Sequence, residues 1–140
     1  MKTVIADASI WIGALVKKDK WHENGKKFLK WVDNEANIRV IIPIGIIYEV
    51  IAGILNKSYG GFEKANKVLK LFMNHKKFEV YYNTENSFQE VIDIFRQYKI
   101  FSLVDATIVI FYENKKFDLL FTTDKDFDSC SFINKLEYPV

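Results

Sequence analysis

Four carboxylates in this chain sit where apolar sequence leaves little ordinary reason for a charge. Asp7 directly follows the short apolar run Lys2 to Ala6, and Glu49 falls between Tyr48 and Val50 in the apolar stretch Val40 to Leu55. Asp105 lies in Leu103-Val104-Asp105-Ala106, and Asp124 follows Leu119-Leu120-Phe121 and two threonines. Brought together, such acids form an all-oxygen donor set, which suits the hard cations Mg²⁺ and Mn²⁺. Without a cation, two carboxylates ~5 Å apart repel by roughly 3 kcal/mol at an effective dielectric of about 20, so at least one raised carboxylate pKa is expected. Each acid also has a structural use. Asp7 and Asp124 can cap helices, Ser102-x-x-Asp105 fits a loose capping box, and Glu49 can lie on a narrow exposed strip. Glu49 is the hardest to explain this way, because its helix is apolar almost all round and an unpaired buried carboxylate is costly.

The surrounding pattern fixes where these acids must stand. Lys2 to Ala6, Ile38 to Ile42, Phe78 to Tyr82 and Leu119 to Phe121 read as short buried strands. Helical spacing predicts helices over Ser9 to Val16, Trp21 to Glu35, Pro43 to Asn56, Phe62 to His75, Thr84 to Tyr98 and Leu103 to Tyr112. Pro43 stops its strand and suits the first turn of the next helix. A short helical turn and a tail follow Lys125. Strands alternating with helices predict an α/β fold: one domain over residues 1–140, with a mostly parallel sheet of four to five strands and helices on both faces. Ligands of such sheets bind beyond the carboxyl ends of the strands, where Asp7 and Asp124 lie.

Composition narrows the class. The chain has 140 residues, 49% of them hydrophobic and 16% aromatic, which is enough for a packed core. With 20 Lys and Arg against 18 Asp and Glu, the net charge of +2 does not by itself announce a nucleic-acid binder. Cys130 is the only cysteine, so a disulfide framework and a cysteine-cluster zinc site are excluded and a reducing cytoplasm is the expected setting. The N-terminus reaches Asp7 before a signal-like apolar region develops, and Pro43 and Glu49 interrupt the one span-length apolar stretch, so no membrane association is expected.

In their order along the chain, Asp7-Ala8-Ser9, the isolated Glu49, Leu103-Val104-Asp105-Ala106 and Thr122-Thr123-Asp124-Lys125-Asp126-Phe127 resemble the four acidic motifs of PIN domains. The likeness spans essentially the whole chain, and the size resembles the stand-alone members, most of which are VapC-type toxins of toxin–antitoxin pairs. The resemblance implies an endoribonuclease that uses Mg²⁺ or Mn²⁺, with Asp7, Glu49, Asp105 and Asp124 as its acidic quartet. Asp7, Asp105 and Asp124 would hold metal, with Glu49 holding a water or a second ion. Ser9 and Thr122 match supporting hydroxyl positions, and Asp126 matches an acid that some members add. Two departures are visible: Ile108, Val109 and Ile110 are bulkier than the family's usual residues there, and Gly45-Ile46-Ile47 lacks its usual small hydroxyl residue. RNA is the implied substrate, an antitoxin protein the implied partner, and a homodimer the expected assembly. The alternatives are a PIN nuclease of RNA processing without an antitoxin, and a non-catalytic doubly wound module that binds RNA or protein. A phosphoacceptor module fits less well, because Asp7 stands alone at the end of its strand.

Other residues have weaker signals. Lys17, Lys18, Lys20 and Lys26 lead the densest basic region, with Lys27 and Lys30, and could grip RNA phosphates beside Trp21; a solvated helix face explains them equally simply. His22 and His75 lack metal-ligand spacing and read as surface residues, and Cys130 reads as an idle thiol. Trp11, Trp31, Tyr59, Phe62 and Phe72 are expected mostly in the core, some of them at an interface.

Overall fold

The computed structural model describes residues 1–140. Its strands are β1 (Lys2–Ala6), β2 (Ile38–Pro43), β3 (Phe78–Tyr81), β4 (Leu119–Phe121) and β5 (Lys135–Leu136). They form one sheet in the order β3-β2-β1-β4-β5, and every pairing is parallel. The helices are α1 (Ala8–Leu15), α2 (His22–Asn34), α3 (Ile44–Leu55), α4 (Gly61–Asn74), α5 (Glu85–Tyr98) and α6 (Leu103–Glu113).

The strand order dictates where the helices go. The chain steps one way from β1 through β2 to β3, then returns across the sheet to β4. Right-handed crossovers therefore place α1 to α4 on one face and α5 and α6 on the other. The aromatic contacts follow this division. Trp11 of α1 meets Phe28 of α2, Phe72 of α4 and Phe78 of β3 edge-on, with centroids 5.5, 4.9 and 5.3 Å away. On the opposite face Tyr81 meets Phe111 of α6, and Phe101 meets Phe127. Covered on both sides, the central strands need continuous apolar residues, and Val4, Ile5, Ala6, Val40, Ile42, Leu120 and Phe121 are fully buried.

The direction of travel reverses between β1 and β4, and the first acid sits at that switch point. Asp7 donates its backbone N–H to the Phe121 carbonyl at 3.0 Å, so the loop after β1 stays tied to β4. Asp7 then caps α1, its side chain accepting from Ser9 N and Ile10 N. The position of α1 depends in turn on a close crossing with α2. A Cβ at Gly25 would stand 2.1 Å from Ala14 N and 2.4 Å from Ile10 O, so this contact admits only glycine without moving backbone. Lys77 fixes the far end of α2, its Nζ donating to the Val32, Asp33 and Glu35 carbonyls that the end of a helix leaves unpaired.

Three expectations need correction. Pro43 ends β2 in extended conformation (φ −56°, ψ 138°) and precedes α3 instead of lying within it. The tail contains β5, a two-residue edge strand too short, and too lysine-rich, to carry a β pattern. Neither histidine is a plain surface residue: the His22 ring pairs with the Gly13 carbonyl at 2.8 Å, and His75 stacks on Phe78 at 4.1 Å. Among the aromatics, Trp11 and Phe72 are buried, Trp31 and Tyr59 are half-buried, and Phe62 is 71% exposed.

Gly25→Ala is expected to lower the stability of the protein by about 2 kcal/mol, because strain at the α1–α2 crossing outweighs the better helix propensity of alanine. Urea denaturation checks this, and a midpoint equal to the parent's would contradict it.

Candidate active site

The four acids arrive from four separate elements. Asp7 comes from the β1–α1 junction, Glu49 from α3, Asp105 from the first turn of α6, and Asp124 from the loop after β4. Together with Ala8, Ser9 and Ser102 they line one cavity of about 300 Å³ at the carboxyl edge of the sheet. No lysine or arginine lines it. The ion pairs of the protein, Arg39–Glu79, Lys125–Glu137 and Lys135–Asp128, include none of the four acids.

Asp7 is the most constrained. It is only 6% exposed, and both carboxylate oxygens are engaged. Oδ1 accepts from Ser9 N at 3.0 Å and from Ser9 Oγ at 2.5 Å, while Oδ2 accepts from Thr122 Oγ1. Thr122 Oγ1 also accepts the Asp124 N–H at 3.0 Å, linking two of the acids through one hydroxyl. Asp124 Oδ1 accepts from Asp126 N at 2.9 Å, capping the 3₁₀ turn Lys125–Ser129. Ser102 caps α6 by accepting the Asp105 N–H at 3.1 Å. Asp7 and Asp124 thus do the capping that the sequence allowed as an ordinary use, Asp105 is held by the cap Ser102, and all three still face a common cavity.

The expectation that Glu49 is buried is corrected. Tyr48, Glu49, Ala52 and Leu55 are all exposed, whereas Ile46, Ile47, Val50 and Ile54 face inward. The outward side of α3 is apolar surface rather than core, and this made Glu49 look enclosed. Its carboxyl nevertheless lines the cavity. Of the supporting residues, Ser9 and Thr122 hold Asp7 directly. Asp126 is exposed and does not line the cavity, and neither do Lys17, Lys18, Lys20 or Lys26. Lys18 lies over the Tyr59 ring and Lys20 over Trp21. Two residues escaped the sequence reading as site residues. Ser102, read only as a cap, lines the cavity, and Thr123 donates its hydroxyl to Ser9 Oγ at 2.9 Å. The adjacent hydroxyl pair before Asp124 was the available signal.

Crowded negative charge marks the electrostatics. Burial pushes Asp7 above the usual carboxylate range, against the donors Ser9, Thr122 and Ile10, and the charge of Asp124 adds to the rise. Burial, with help from Asp124 and Asp7, lifts Asp105 to about 6 despite its hydrogen bonding with Ser102. Loss of water and the charges of Asp105 and Asp7 raise Glu49. No three of the acidic, histidine or cysteine side chains are drawn in to ligating geometry. The chemistry of the donors still fits a hard dication: oxygen donors only, mutual repulsion, and no protein cation to relieve it.

An acid whose pKa is higher in the fold than in the unfolded chain binds its proton more tightly when folded. The stability that Asp105 contributes is therefore fully present below its ordinary value of 3.8 and lost as pH rises through about 6. In EDTA at neutral pH, Asp105→Asn is expected to melt about 2–4 °C above the parent, with the gap closing as pH falls toward 3.8. Calorimetry across that range checks this, and equal melting temperatures at neutral pH would contradict it.

Comparison with known proteins agrees with this architecture. None of the curated proteins compared matches the chain in sequence. Among solved structures, the VapC20 toxin of Mycobacterium tuberculosis, described as cleaving the sarcin–ricin loop, is similar with a TM-score of 0.77 and 17% identity, over 93% of this chain and 96% of that one. VapBC2 from Rickettsia felis, bound to a DNA fragment from its promoter, gives 0.66 and 15% over 96% and 97%. A toxin–antitoxin complex from Klebsiella pneumoniae gives 0.62 and 17% over 98% and 99%. At these identities the likeness is one of fold. The sequence itself matches the PIN domain family over residues 4–133, and the chain therefore belongs to the PIN-domain family.

Proposed function

We propose that this protein is a metal-dependent endoribonuclease that hydrolyses RNA phosphodiester bonds and serves as the toxin of a VapBC-type toxin–antitoxin pair. One observation carries the nuclease reading: four carboxylates from four elements line one cavity that contains no positive side chain. In this reading Asp7, Asp105 and Asp124 hold Mg²⁺ or Mn²⁺. The bound ion would neutralise charge on the phosphate and leaving oxygen and make a water easier to deprotonate.

The residues of the chain supply the rest. Ser9 and Thr122 hold the Asp7 carboxylate in one orientation from both sides, so that little reorganisation is needed when substrate arrives. Glu49, exposed at the cavity edge with a raised pKa, orients the attacking water and accepts its proton at a carboxylate oxygen. Asp126 supports Asp124 through its backbone N–H, which donates to Asp124 Oδ1. The family match supports RNA as the substrate, and so does a carboxylate set able to present a dication to a phosphate.

The partner assignment rests on the resemblance to the Rickettsia and Klebsiella toxin–antitoxin complexes. Apolar surface suits a protein partner and a second copy of the chain: Tyr48, Leu55, Phe62 and Met73 are exposed on α3 and α4. No helix is long and apolar enough to cross a membrane.

Mixed cellular RNA incubated with the purified protein and Mn²⁺ should be cleaved. EDTA should abolish the cleavage, and Asp7→Ala should slow it by about 100-fold or more. Equal cleavage in all three reactions would mark a contaminant and overturn the assignment.

A further inference from the structure

RNA is a chain of phosphates, and the acid cavity contains no cation to meet any of them. A second, shallow cavity of about 60 Å³ lies against the same loop, lined by Thr122, Thr123, Asp124, Lys125, Lys135 and Glu137, with Leu136 as its one apolar wall. Asp124 lines both cavities, so they share one wall. The second cavity places Lys125 and Lys135 with Asp124 of the quartet, whereas the lysines of the α1–α2 region line neither.

The state of these two lysines decides which is available. Lys135, on β5, is partly covered and pairs with Asp128. The Lys125 side chain is 78% exposed, and its Nζ lies 3.1 Å from Glu137 Oε1. An exposed pair of this kind is held weakly, so a phosphodiester, equal to the carboxylate in charge and delivered on a polyanionic strand, can exchange with it. Glu137 is also anchored independently of Lys125, because its backbone carbonyl accepts from Asn24 Nδ2 at 3.1 Å. The segment therefore stays in place when Lys125 turns to another anion. The cavity walls are polar apart from Leu136 and carry two ammonium groups, which suits the phosphate of RNA better than its bases.

We propose that this cavity is the subsite for an RNA phosphate neighbouring the scissile one, with Lys125 as the residue that grips it and Glu137 as its exchangeable counter-ion. The proposal rests on the nuclease reading above and adds the element that reading lacks, a cation beside the acids. Lys125 is a positioning residue: it acts on binding of the strand and not on the bond that breaks.

The test uses the full chain carrying Asp105→Asn, with Mg²⁺ and a short fluorescein-labelled single-stranded RNA of mixed sequence, followed by anisotropy over a range of salt. Adding Lys125→Ala should weaken binding about 3- to 10-fold and lower the slope of log affinity against log salt by about 0.7, the loss of one phosphate contact on a single strand. Lys125→Arg should restore both, and Glu137→Gln should tighten binding about 2- to 3-fold by freeing the lysine. If the Asp105→Asn parent binds RNA and Lys125→Ala leaves affinity and slope unchanged, the subsite is wrong while the nuclease reading stands. If the Asp105→Asn parent binds no RNA at any salt, the subsite falls, and the nuclease reading is decided separately by the Mn²⁺ cleavage assay above.

Discussion

Negative charge crowded around one cavity is the constraint around which this protein is organised. Asp7, Asp105 and Glu49 are each harder to ionise than a free carboxylate, loss of water around the carboxyl being the leading cause for each. Nothing in the fold cancels that charge with a lysine or arginine. What the fold offers instead is a set of oriented donors. Asp7, Ser102 and Asp124 each cap a helix or helical turn that starts at this edge of the sheet, so helix N-termini, with their partial positive charge, surround the acids. These dipoles and hydroxyls hold the carboxylates without neutralising them, and the charge remains available to a dication.

The same arrangement explains why so much distant structure serves the site. Asp7 is placed by the β1–β4 pairing and by α1, and α1 is placed by a crossing with α2 that tolerates no side chain at Gly25. Asp105 is placed by α6, which runs buried from Ala106 to Phe111. The bulky Ile108, Val109 and Ile110 pack fully into that helix's surroundings, so the departure from the family's usual residues is absorbed by the core and leaves Asp105 at the cavity. The acids cost stability in the metal-free protein, and the apolar packing behind them offsets that cost.

Much of this was legible in the sequence, for physical reasons that differ by element. The strands and helices declared themselves because a parallel sheet covered on both faces needs short apolar runs, and its crossovers need amphipathic helices. The site was legible through strand ends and order: Asp7, Asp105 and Asp124 stand where α/β sheets bind ligands. Glu49 lines the cavity although it is exposed, not buried as expected. An apolar helix face can be surface as well as core, and hydropathy alone does not tell the two apart. β5 was lost because two residues carry no period. The contribution of Thr123 was lost because its partner, Ser9, is distant in sequence, and the ion pair between Lys125 and Glu137 depends on where the tail folds back. Of the lysine cluster, Lys18 lies over Tyr59 and Lys20 over Trp21, while Lys125, a single cation inside the last acidic motif, drew no attention as part of a basic cluster.

The claim that these acids await a dication is tested most directly by titrating Mn²⁺ into the metal-free protein by isothermal calorimetry, in buffers of different ionisation enthalpy. Binding should release protons, and the number released should grow as pH is lowered toward about 6, where Asp105 is half protonated. Asp105→Asn should weaken binding and remove that pH-dependent release. No heat of Mn²⁺ binding in the parent, or binding and proton release unchanged in Asp105→Asn, would contradict the account.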